Sequence, residues 1–152
     1  MAGRRTPAGG FTILELVVVL AVLALVVALA APRFARGIQA AALDSTAREL
    51  LAGLKYTRSH AVSEHDEAVF YLNLEDRWFR LPGSDRRHGV PENLDMELVT
   101  VESERDGEVG GAIRFFPDGS STGGRVSLVV GERKRHVDVD WMGGRVRILD
   151  ES

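Results

Sequence analysis

The sequence predicts an α+β protein in which one long helix comes first and an antiparallel β-sheet domain follows. Three observations carry this. An apolar run opens within residues 9–16 and continues to Ala31 with Glu15 as its only charge. Residues 38–62 then place Leu43, Ala47, Leu50, Leu51, Leu54, Ala61 and Val62 close to the spacing of one helical face. From Ala68 onward the period shortens, and β-rich segments alternate with turn residues.

The first element is the apolar run, which at about 1.5 Å per residue reaches about 30 Å and is long enough to span a bilayer. A carboxylate inside such a run is costly and needs a partner, so Glu15 is a functional residue by default. An ordinary secretory signal also has a basic start, here Arg4 and Arg5, and Ala28-Leu29-Ala30 is a passable cleavage site. Its apolar region, however, is short and uncharged. A plain anchor leaves Glu15 unexplained, and helices of globular cores rarely stay apolar on every face for so long. Arg4 and Arg5 hold the amino terminus in the cytoplasm and send the rest across the membrane, with Arg33 and Arg36 pulling weakly the other way.

The second element is the amphipathic stretch over residues 38–62. Pro32 kinks the chain rather than ending the helix, which gives a stem with one half in lipid and one half packed on the domain. Seven strands follow, at residues 69–74, 77–81, 96–101, 113–116, 126–130, 136–139 and 146–149. Alternation in residues 136–141 and 145–148 indicates strands with one wet face. Turns are expected at residues 82–85, at Asp106-Gly107, at Pro117-Asp118-Gly119 and at Gly143-Gly144. Residues 83–93, poor in apolar side chains, are expected to form an exposed loop of low order.

Composition narrows the function classes. The chain of 152 residues allows one modest domain beyond the membrane run. Its 19 basic residues against 22 acidic give no global push toward nucleic acid. The absence of cysteine removes disulfides, thiolate metal sites and a cysteine nucleophile. His60, His65, His88 and His136 lack the spacing of a metalloprotease pair, and Glu64, Asp66 and Glu67, or Asp138 and Asp140, fit no calcium loop, so no metal and no other cofactor is expected. Gly119, Ser121 and Gly123 match the Gly-x-Ser-x-Gly pattern, but a nucleophile elbow needs a helix after it, and the following residues read as a strand. The same segment lacks the Gly-Lys-Ser/Thr ending of a phosphate loop. No enzyme activity is expected.

Gly10-Phe11 followed by Glu15 resembles the processing site of type IV pilins and type II secretion pseudopilins. The segment Phe115-Phe116-Pro117-Asp118-Gly119-Ser120-Ser121-Thr122-Gly123-Gly124 looks like that of pseudopilin H and FimT-like minor pilins. Arg58-Ser59-His60-Ala61 and Gly144-Arg145-Val146-Arg147 are similar to the same group. The resemblance implies a type IV pilin-like fold, with a cleaved leader at 1–10, a membrane-spanning half-helix at 11–31, a periplasmic half-helix at 32–63 and a β-rich domain at 64–152. It implies cleavage between Gly10 and Phe11, N-methylation of Phe11, and pairing of Glu15 with the terminal ammonium of a neighbouring subunit. The function implied is that of a minor pseudopilin, single-pass in the inner membrane with a periplasmic carboxyl-terminal domain. Its partners are then prepilin peptidase, other major and minor pseudopilins, the inner-membrane secretion platform and membrane lipid.

A second function stays open: a FimT-like minor type IV pilin that binds DNA during natural transformation. Arg145 and Arg147 would share one strand face and contact phosphates, with Arg133, Lys134 and Arg135 one hairpin away. The competing explanation of the same arginines is an outer strand guarded from aggregation by its charges.

Overall fold

A computed structural model describes residues 12–107 and 109–151, without the side chains of residues 29–36, 150 and 151. Gly10, Phe11 and the leader at 1–10 lie outside the described residues. The chain divides into two compact units, Met1–Gly37 and Ile38–Ser152. Helix α1, Ile13–Glu64, belongs in part to each and runs on through Pro32.

In the first unit, the described side chains of residues 12–28 are all exposed, and among the large apolar ones Ile13 and Leu14 most of all. The expected membrane segment at 11–31 extends at both ends past these side chains. Among the described residues, no helix is long and apolar enough to cross a membrane.

The second unit contains two antiparallel sheets. Strands β1 (Ala68–Asn73), β2 (Trp78–Arg80), β3 (Arg87–Gly89), β5 (Arg105–Asp106) and β6 (Gly110–Phe115) form one, in the order β3-β2-β1-β6-β5. Strands β4 (Asp95–Val99), β7 (Gly124–Val130), β8 (Arg133–Val139) and β9 (Val146–Glu151) form the other, in the order β4-β7-β8-β9. All seven expected strands are present, with boundaries shifted by a few residues. The basic triplet Arg133-Lys134-Arg135 opens β8, three residues before the expected start of that strand.

One expectation fails. Residues 83–93 do not form a mere exposed loop, because β3 pairs with β2 through Trp78↔Gly89, Phe79↔His88 and Arg80↔Arg87. Aromatic contacts explain this where hydropathy did not: the His88 ring stacks on Phe79 at 4.9 Å, and the Arg87 guanidinium lies 4.6 Å from the Trp78 ring centroid. Beyond β3, Val90 and Leu94 are buried, and the Arg77 guanidinium donates to the carbonyls of Glu92 and Leu94. The two-residue β5 also went unforeseen, being too short for any alternation to register.

The core forms where α1 meets both sheets. Leu43, Ala47, Leu50, Leu54 and Ala61 are buried on the helix, as its spacing requires, while Leu51 is half-buried and Val62 exposed. They join Phe70, Leu72 and Phe79 from one sheet and Val126, Leu128 and Val137 from the other. Gly53 lets the helix approach closely, since a Cβ there would sit 3.0 Å from Phe70 and from Leu81. Thr57, fully buried and missed by a purely apolar pattern, donates its hydroxyl to the Gly53 carbonyl at 2.8 Å.

Candidate functional sites

At the start of α1, the Thr12 hydroxyl oxygen accepts the backbone N–H of Glu15 at 3.2 Å. Thr12 is therefore the N-cap and Glu15 the third helical residue, the Thr-x-x-Glu arrangement of a capping box. A carboxylate there also faces the positive end of the helix dipole. Glu15 thus has a local reason to stand where it does, besides any role toward a neighbouring subunit, and the sequence already held the signal in Thr12-Ile13-Leu14-Glu15.

In the second unit, the three segments singled out by resemblance meet. The Arg58 Nε donates to the Gly119 carbonyl at 3.1 Å, across sixty-one positions of sequence. Gly144, at φ +57°, lies against both: a Cβ there would strike the Gly119 carbonyl and come within 3.0 Å of Arg58 Nε. Gly119, at φ +83°, sits so near that its own Cβ would meet the guanidinium at 2.9 Å. Arginine and glycines thus form one clasp joining α1 to the turns before β7 and before β9.

Ser121, the false nucleophile, is buried behind this clasp. It accepts the Gly123 N–H at 2.9 Å and donates to the Asp140 carbonyl at 3.3 Å, and β7 follows where an elbow would need a helix. Nearby, the Asp118 carboxylate accepts the hydroxyl and the N–H of Ser120, which hold its pKa below the usual carboxylate range.

Arg145 and Arg147 flank the start of β9, and both are exposed. Register sets Arg147 opposite Asp138, which on its other side lies opposite Arg125. The Arg125 guanidinium donates to the Asp138 carboxylate, and this bond, helped by the charges of Arg125, Arg147 and His136, keeps the Asp138 pKa below the usual range against its partial burial. Arg145 stands 3.9 Å from Asp140. Both arginines therefore have a carboxylate beside them. Arg135, from the basic triplet, reaches Asp44 of α1 at 3.0 Å.

The structure brings two further cations to these arginines, of which sequence reasoning missed Lys55. Lys55 and Arg58 of α1 line the same groove as Arg145 and Arg147, a space of about 580 Å³ between the last turns of the helix and the start of β9. Only Arg58 carried a sequence signal, as part of Arg58-Ser59-His60-Ala61.

Residues 46–143 match the family described as Type II transport protein GspH, and residues 5–31 match the prokaryotic N-terminal methylation motif. Type II secretion system protein H of Xanthomonas campestris pv. campestris is 34% identical over 139 residues, covering 91% of this chain and 81% of that protein. The minor pseudopilin EpsH from the type 2 secretion system of Vibrio cholerae superposes with a TM-score of 0.57 at 12% identity, over 71% of this chain and 96% of that one. The type IV minor pilin FimU of Pseudomonas aeruginosa superposes with a TM-score of 0.54 at 20% identity, over 70% and 92%. The two superpositions establish the type IV pilin-like fold: a helix packed on antiparallel sheets. The family match over residues 46–143 and the 34% identity across most of both sequences show that the chain belongs to the GspH family of type II transport proteins, the minor pseudopilins of type II secretion.

Proposed function

We propose that this chain is processed between Gly10 and Phe11, methylated on Phe11, and built through its amino-terminal helix into a short periplasmic filament that helps export folded proteins across the outer membrane. The observation that carries this reading is the start of α1. Thr12 caps a helix that begins directly after the proposed cleavage point, and the helix then exposes apolar side chains on every face with one carboxylate in its first turn. Such a surface is stable only in lipid or among like helices. The methylation motif over residues 5–31 supports the processing step. Residues 11–31 then lie in the inner membrane and the domain in the periplasm. Prepilin peptidase, other pseudopilins, the inner-membrane secretion platform and lipid are its partners.

Glu15 supplies the charge that a neighbour's terminal ammonium neutralises. The test separates this role from capping. Deletion should leave exoenzymes in the periplasm, and Glu15→Ala should restore processing but not secretion. Glu15→Gln keeps a capping-box residue without the charge, so it should fail as Glu15→Ala does. Full secretion by Glu15→Gln would reduce Glu15 to a helix cap.

The DNA-uptake reading rests on Arg145 and Arg147, now with Lys55 and Arg58 beside them. Against it stand Asp138 and Asp140, each next to one of those arginines, where a phosphate backbone would meet carboxylates.

A further inference from the structure

We propose that the groove between the last turns of α1 and the start of β9 binds an extended acidic segment of a partner protein, with carboxylates at alternate residues. Four cations line it, Lys55 and Arg58 from the helix and Arg145 and Arg147 from the strand. Asp138 and Asp140 do not line it, and Lys55 has no ion-pair partner among the described residues. In a chain whose total charge is −3, this is a local reversal of sign.

Arg145 and Arg147 form a short row. Arg145 and Arg147 are two residues apart on extended backbone, so their side chains repeat at about 7 Å. Side chains at alternate positions of an extended peptide repeat at the same distance, which matches Glu-x-Glu to the row. A single inorganic anion would engage one end of it. The groove's remaining lining suits the residues between: Val62 offers apolar surface, and the Ser59 hydroxyl offers a donor. β9 is an outer strand of its sheet, with β8 on one side, so a peptide running beside it can also bond to backbone. A space of about 580 Å³ is the size of a few side chains.

The inference does not depend on the secretion reading, because the recognition is local and measurable in vitro. Full-length protein in detergent micelles is titrated against a labelled octapeptide alternating glutamate and valine, and against its glutamine counterpart. Wild type should hold the glutamate peptide, lose it as salt rises, and ignore the glutamine peptide. Replacing Lys55, Arg145 and Arg147 together by glutamine should weaken binding about tenfold, as the loss of three exposed pairs implies. Arg58 is left in place because the clasp needs it. Equal binding of both peptides, retention by the triple variant, or no binding at low salt would overturn the proposal. Tighter binding of short duplex DNA under the same conditions would assign the groove to nucleic acid. Self-association of wild type that the triple variant loses would assign it to a second copy.

Discussion

At Gly144 the backbone holds a conformation that costs any other residue, and its missing Cβ leaves room for a carbonyl and a guanidinium at once. The two effects can be separated within this chain. Gly107 has the same φ of +57° but nothing within 4 Å of its Cβ direction. Gly107→Ala should therefore cost about 1 kcal/mol, the conformational term alone. Gly144→Ala must also move the Gly119 carbonyl or Arg58, and about 3 kcal/mol in total is expected. Urea unfolding of the two variants measures the difference; equal costs would mean that the clasp gives way freely.

Among the strands, Arg125, Asp138 and Arg147 line up across β7, β8 and β9 as cation, carboxylate and cation. Oppositely charged cross-strand neighbours stabilise a sheet modestly. Because the Asp138 pKa is lowered in the folded state, its contribution is present above the unfolded carboxylate value and is lost as pH falls through the folded one. Stability should thus decline below about pH 4. Asp138→Asn should be about 1 kcal/mol less stable at neutral pH and show a shallower acid slope. Thermal unfolding from pH 7 to pH 3 would reveal it, and parallel curves for the two proteins would argue against the ladder.

For the molecule as a whole, every buried core residue among the described residues lies in Ile38–Ser152. That segment alone should unfold cooperatively, with an enthalpy of about 80 kcal/mol at its midpoint. Calorimetry checks this, and a broad transition without near-ultraviolet dichroism would show that the core needs the first unit. The division of labour was legible in the sequence, because a continuous apolar run, a helical stripe and alternating strands are one-dimensional signals. Turn residues marked most strand ends for the same reason. What stayed hidden depends on contacts between distant residues: β3, held by His88 on Phe79 and Arg87 on Trp78, and the buried Thr57, whose hydroxyl is satisfied within its own helix. At the sites, Arg145 and Arg147 were visible as an alternating pair, yet their carboxylate neighbours follow only from the pairing of β8 with β9, and the company of Lys55 only from the packing of α1 beside β9.

The clasp also has a consequence in time. Arg58 waits for Gly119 and Gly144, and Asp44 waits ninety-one positions for Arg135. Such distant pairings close late. While the chain is still being synthesised, Leu43, Leu50 and Leu54 therefore lack the second sheet, and part of the inner side of the helix stays open to chaperones and proteases until nearly the last strand has emerged.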